Sequence, residues 1–176
     1  MSERIRKRTK YLTVSAMLAA LGVICMSLGS LVEVLDLTTA VLASMLCIYA
    51  VIEMGGGYPW AIWLATSILS LVLLPIKTPA IFYTAFFGFY PILKEKLEKR
   101  SRPIAWTFKL LAFHLSLGVI ALVFHLFLPE QMTEEFPFFW LALYAASLVA
   151  FLLYDLALTR MITFYLIRLR HRFQIK

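Results

Sequence analysis

The chain has 176 residues, 62 % of them hydrophobic and only 15 % charged, and it carries a formal charge of +7. A soluble domain is about half apolar and a quarter charged. Here the charges gather between long apolar stretches, which speaks for membrane spans and against a water-soluble globule. The basic residues flank those stretches, as they do at a cytoplasmic membrane face, so a nucleic-acid partner is not expected.

In chain order, Arg4, Arg6, Lys7, Arg8 and Lys10 form a first basic cluster. The first span follows over 11–32. A charged start before an apolar core resembles a secretory signal. The apolar run is too long for one, however, and no clear small-residue cleavage site follows it, so it is expected to persist as a span. Glu33 and Asp36 mark a turn. The second span covers 37–52 and ends at Glu53 and Gly55-Gly56-Gly57, glycine being a usual helix terminator. Pro59 opens the third span, 59–74, since proline is tolerated in a first helical turn. Pro75 and Lys77 lie in a short turn, and Pro79 opens the fourth span, 79–93. That span stops at a second basic cluster, Lys94, Lys96, Lys99, Arg100 and Arg102. The fifth span covers 104–128. A loop with Glu130, Glu134 and Glu135 follows, and Pro137 opens the sixth span, 137–160. Its helix runs on to about Arg172, into a third basic cluster of Arg168, Arg170, Arg172 and Lys176.

With the N-terminus inside, all three basic clusters fall on the cytoplasmic side, and the acidic turns fall outside. The expected fold is therefore all-α: one polytopic membrane helix bundle of six transmembrane helices with both termini cytoplasmic, in the cell membrane. The third and fourth spans are short, roughly 23–24 Å at ~1.5 Å per residue against a ~30 Å hydrocarbon core. Short crossing helices are preferred to a re-entrant hairpin, which would hold Lys77 at membrane depth.

No enzyme motif is present. There is no His-Glu-x-x-His, no Gly-x-Ser-x-Gly, and no Lys-Ser/Thr after the glycine run. The carboxylate pairs sit in loops, where solvated charge is the ordinary reading. No catalytic residue, metal ligand or cofactor is assigned. Cys25 and Cys47 lie within spans and read as small hydrophobes.

Ionisable groups inside spans are costly and so are candidates for function. His114 lies mid-span and reads most simply as a neutral histidine bonded between helices. Glu53, Lys109, Asp155 and Arg160 share the inner ends of their helices and read as an ion-pair cluster or as snorkelling side chains. Trp140, Tyr144, Ser147, Phe151 and Tyr154 fall on one face of the sixth helix, and Tyr83, Phe86, Phe87 and Tyr90 lie on the fourth. Such stripes are usually packing or interfacial belts. If a pocket exists, Tyr83, Trp140, Tyr144, Ser147 and Phe151 are its natural lining. In the first span Ala16, Ala19 and Ala20 are small residues that let another helix approach, inside the bundle or outside it.

Ala16-Met17-Leu18-Ala19-Ala20, together with the length and the six spans, resembles the S component of an energy-coupling factor (ECF) transporter. That resemblance implies an Ala-x-x-x-Ala patch on the first helix that docks on a transmembrane T subunit driven by ATPase subunits. It also implies a small molecule, often a vitamin, bound toward the outer side. The chain has no Asn, so the expectation is an apolar or aromatic ligand, or no ligand at all. The second reading is a non-catalytic scaffold of the cell envelope, close in size and hydropathy to the small membrane protein of the rod-shape machinery.

Overall fold

The structure, a computed structural model, describes residues 2–31, 33–127 and 138–169. The described residues are helical or in turns, so the all-α expectation holds. The helices are α1 (Ser2–Gly29), α2 (Asp36–Glu53), α3 (Tyr58–Leu73), α4 (Thr78–Phe82), α5 (Tyr90–Leu97), α6 (Arg102–Phe127) and α7 (Phe139–Phe164). A 3₁₀ turn, Glu33–Leu35, precedes α2, and π-helical turns occupy Tyr83–Phe87 and Tyr165–Leu169. Four segments are long and apolar enough to cross a membrane: Ile5–Gly29, Asp36–Glu53, Arg102–Phe127 and Phe139–Arg168. The acidic loop at Glu130, Glu134 and Glu135, the Pro137 helix start and the basic residues Arg170, Arg172 and Lys176 lie outside the described residues.

The chain forms two compact units, 1–116 and 117–176. In the first, α1 begins in the basic tail, nine residues before the apolar run, because a helix of Arg, Lys and Glu continues freely into water. Its inward face is Ser15, Ala19, Gly22, Met26 and Gly29, in alternating steps of four and three residues, with Ser30 buried beside Gly29. At Gly22 a Cβ would stand 3.0 Å from Thr66 Cγ2 of α3. At Gly29 it would overlap Thr39 Oγ1 of α2. These glycines bring both neighbouring helices close.

The contacts set the directions. Tyr11 stacks edge-on against Tyr58 at 5.4 Å, Ala19 packs with Ile62 and Ala50, and Gly22 meets Thr66 while Gly29 meets Thr39. Hence α3 runs parallel to α1, and α2 runs antiparallel to both. The α2–α3 connection is tight because Gly55 and Gly56 take φ of +59° and +60°, a conformation costly for any residue with a Cβ. The N–H groups of Met54 and Gly55 both donate to the Ala50 carbonyl at 3.0 Å. At the far end of α3, the Lys77 ammonium donates to the Leu74 carbonyl at 2.5 Å and so satisfies a helix C-terminus.

The expected fourth span is not one helix. It breaks into α4, a π-helical turn and α5, and α5 carries the helix past 93 through Lys94 to Leu97. Pro91 is the cause: it has no N–H, and its ring excludes the carbonyl four residues earlier, that of Phe87. The Gly88 N–H bonds the Tyr83 carbonyl at 2.7 Å, five residues back. The first unit's main apolar cluster, Met26, Ala40, Ala43, Leu74, Ala80 and Tyr83, lies beside this break.

In the second unit, α7 starts at Phe139 and continues through Phe164 into the second π-helical turn, Tyr165–Leu169, past 160 as the sequence reading had it. Leucines and valines are exposed along α1, α3, α6 and α7, as suits surfaces that face hydrocarbon.

Candidate functional site

Where the π-helical turn meets α3, the first unit combines ring packing with free polar groups. In a regular helix the Gly88 N–H would take the Thr84 carbonyl. Here that carbonyl accepts the indole N–H of Trp63 at 3.3 Å. A Cβ on Gly88 would overlap Trp63 and stand 2.8 Å from the Tyr83 ring, so only glycine admits both rings. Phe86 packs on Tyr90 at 4.9 Å, on Phe87 at 5.3 Å and on Phe113 at 6.1 Å. Tyr83, the fourth-span residue assigned to a pocket, is buried in this mass.

Three hydroxyls that the sequence reading did not single out belong to Thr66 and Ser67 of α3 and Thr84 of the π-helical turn. Thr66 is 0 % and Ser67 3 % exposed. Among the described residues, the hydroxyl oxygens of Thr66, Ser67 and Thr84 are buried without a hydrogen-bond partner. Helical Ser and Thr ordinarily bond a carbonyl three or four residues back. Their neighbours do so: Ser70 to Ser67 at 3.1 Å, Ser44 to Val41 at 2.6 Å and Thr39 to Leu35 at 3.0 Å. An unsatisfied buried hydroxyl costs about 1–3 kcal/mol. The pattern Thr66-Ser67-x-x-Ser70 was available in the sequence, but spacing does not say which hydroxyl bonds its own helix.

The other assigned lining residues belong to the second unit. Trp140 and Tyr144 are 43 % and 40 % exposed on α7. The Ser147 hydroxyl donates to the Tyr144 carbonyl at 2.8 Å, so its proton is used within its own helix. Phe151 is buried on α7.

The alanine patch divides. Ala16 and Ala20 are exposed, whereas Ala19 is buried against Ala50 and Ile62 and is no part of an outward surface. Positions four apart share a helix face, and Ala19 belongs instead to the row of Ser15 and Met26.

The intramembrane ionisable groups belong to both units, Glu53, Lys109 and His114 to the first and Asp155 and Arg160 to the second. His114 is exposed, with Nδ1 2.8 Å from the Leu110 carbonyl of its own helix. Glu53 is half-buried at the end of α2. Asp155 is buried on α7, and its backbone carbonyl accepts the Thr159 hydroxyl at 2.9 Å. Arg160 is exposed. Lys109 lies 3.5 Å from Glu98, which is also 3.2 Å from Lys94. Lys94, read from sequence as a loop residue, is 0 % exposed because α5 extends past the proline.

No protein-family model, no curated protein and no solved structure matches this chain. Function therefore rests on the residues themselves.

Proposed function

We propose that the chain is a multi-pass protein of the cell membrane that binds a small molecule inside its first unit, as the substrate-binding subunit of an uptake transporter. One observation carries the reading: Thr66, Ser67 and Thr84 hold buried hydroxyls without partners. A membrane interior offers no water to satisfy such groups, and a protein that only scaffolds gains nothing from keeping them. A ligand with one polar edge and an apolar or aromatic body suits hydroxyls next to Trp63 and the Phe86 cluster. The site moves accordingly. Tyr83 stays at its edge, and the α7 residues Trp140, Tyr144, Ser147 and Phe151 are the alternative lining. No residue is assigned a catalytic role.

The membrane reading is of six crossings with both ends cytoplasmic. The parallel run of α3 beside α1, from Tyr11 and Tyr58 to Gly22 and Thr66, supports α3 as a crossing helix despite its length. The T subunit and its ATPases are the proposed partners, and the exposed Ala16 and Ala20 supply the docking face.

Mass spectrometry of small molecules retained by the purified protein tests the binding role. A compound is expected in the wild type. Its retention should fall about ten- to a hundredfold in Thr66→Val/Ser67→Ala, the weight of one or two hydrogen bonds to a desolvated ligand. Equal retention by the variant would remove the site, and no retained compound in the wild type would favour the second reading. That reading, an envelope scaffold, is favoured by the same exposed alanine face, which serves any helical partner. Co-purification with cell-wall or division proteins instead of ATPase subunits would establish it.

A further inference from the structure

The cytoplasmic-type basic cluster is not uniformly spent. Two carboxylates, Glu95 and Glu98, face six cations between 94 and 109. Lys94 and Lys109 take Glu98, and Lys99 takes Glu95. Lys96 differs. Its ammonium lies over the Trp60 ring, 5.4 Å from the centroid, and among the described residues no carboxylate is within ion-pair reach of it. Lys96 is exposed, and so are Arg100 and Arg102 nearby. The Tyr11–Tyr58 contact brings the basic start of α1, 6–10, to the same end of α3.

From Trp60 an apolar row leads away along the helix axis. Trp60, Leu64, Ile68 and Val72 are spaced by four, and their exposure rises from 37 % to 72 %. Residues at that spacing form one stripe, and twelve residues of helix extend roughly 18 Å, close to the length of a fatty acyl chain. A positive head placed on an aromatic ring above a long, exposed apolar track is complementary to one kind of molecule.

We propose that the corner of α3 and α5 binds an anionic glycerophospholipid. Its phosphate sits on the Lys96 ammonium, with the glycerol ester region over Trp60 and one acyl chain along Leu64, Ile68 and Val72. The Trp60 ring holds Lys96 at the level of the headgroup, because a cation over an indole face is attracted by the ring quadrupole. Arg100 and Arg102 add attraction for the negative surface without selecting the lipid. The site is independent of whatever the chain transports.

Native mass spectrometry of the full-length protein in detergent tests it, with phosphatidylglycerol and phosphatidylcholine of the same acyl chains as probes. Phosphatidylglycerol is expected to bind as a single retained molecule more tightly than phosphatidylcholine. Lys96→Gln should weaken it about fivefold, the weight of one basic residue at an anionic surface. Trp60→Leu, which keeps the apolar track but frees Lys96, should weaken it in the same direction. Lys99→Gln removes an equal charge from a lysine already paired with Glu95 and should leave phosphatidylglycerol within twofold of wild type. The proposal is overturned by equal affinity for both lipids in the wild type, by no loss in Lys96→Gln, or by a loss in Lys99→Gln as large as in Lys96→Gln. The first needs no variant. The last would mean that bulk charge, and not a site, holds the lipid. Occupation of the row by a second copy of the chain would appear as a dimer insensitive to lipid and would also overturn it.

Discussion

Gly29 shows how much one hydrogen atom in place of a methyl group decides. The Thr39 hydroxyl that a Cβ would overlap is held in place, since it donates to the Leu35 and Asp36 carbonyls at 3.0 and 3.1 Å. It cannot swing aside without leaving those bonds. Gly29→Ala is therefore expected to lower stability by about 1–3 kcal/mol, the usual cost of overpacking, measured as thermal denaturation in detergent. Gly118→Ala is the control: among the described residues nothing beyond its own stretch of helix lies within 4 Å of a Cβ there, and alanine is the better helix former, so stability should hold or rise. A Gly29→Ala protein as stable as wild type would mean that α1 and α2 are not in the described contact. Both glycines stand in apolar helical sequence, and nothing in the sequence distinguishes them. The difference lies in what the neighbouring helix presents.

At the scale of the helix, α1 carries two rows of small residues with different destinations. Ser15, Ala19, Gly22, Met26 and Gly29 form the inward row. Ala16 and Ala20 remain outside. Helix association in a bilayer depends on close packing, because lipid is as apolar as the helix surface. A large residue on the outer row should therefore act on partners and not on folding. Ala20→Trp is predicted to leave the melting temperature of the isolated protein within a few degrees of wild type while abolishing partner recovery in a pull-down. Ala19→Trp should do the reverse and destabilise the isolated protein by overpacking against Ala50 and Ile62. If Ala20→Trp unfolds the protein, or leaves partner recovery unchanged, the docking face is lost as an explanation. The small-residue pattern was legible in the sequence. Which half of it faces inward was not, because two rows one residue apart on a helix differ by only about 100°.

Over the whole molecule, sidedness is carried by charge. The proposed topology, read from the positive-inside rule, has the segment around Ser101 in the cytoplasm and Gln131 outside. Single cysteines at these positions, in a background with Cys25 and Cys47 replaced by alanine, should differ in labelling by an impermeant thiol reagent on intact cells. Cysteine at 131 is expected to react and cysteine at 101 to stay protected. The opposite pattern would invert the topology, and equal labelling of both would remove it.

Helical secondary structure, the apolar character of four long segments and most helix ends follow from composition and local chemistry alone. They are written in local interactions: glycine at 55 and 56 takes a left-handed backbone, and proline at 59 opens a helix. Even the break at 88–91 rests on Gly88 and Pro91, although the expected fourth span ran through both. What only tertiary structure decided is which polar group finds a partner. Ser70 bonds its own helix while Ser67 does not, and Lys94 is buried against Glu98 while Lys96 is left on an exposed indole. A hydroxyl or an ammonium of one residue type has the same chemistry at every position. Its role is set by the burial and partners that neighbouring helices impose, and those arise from contacts many residues apart.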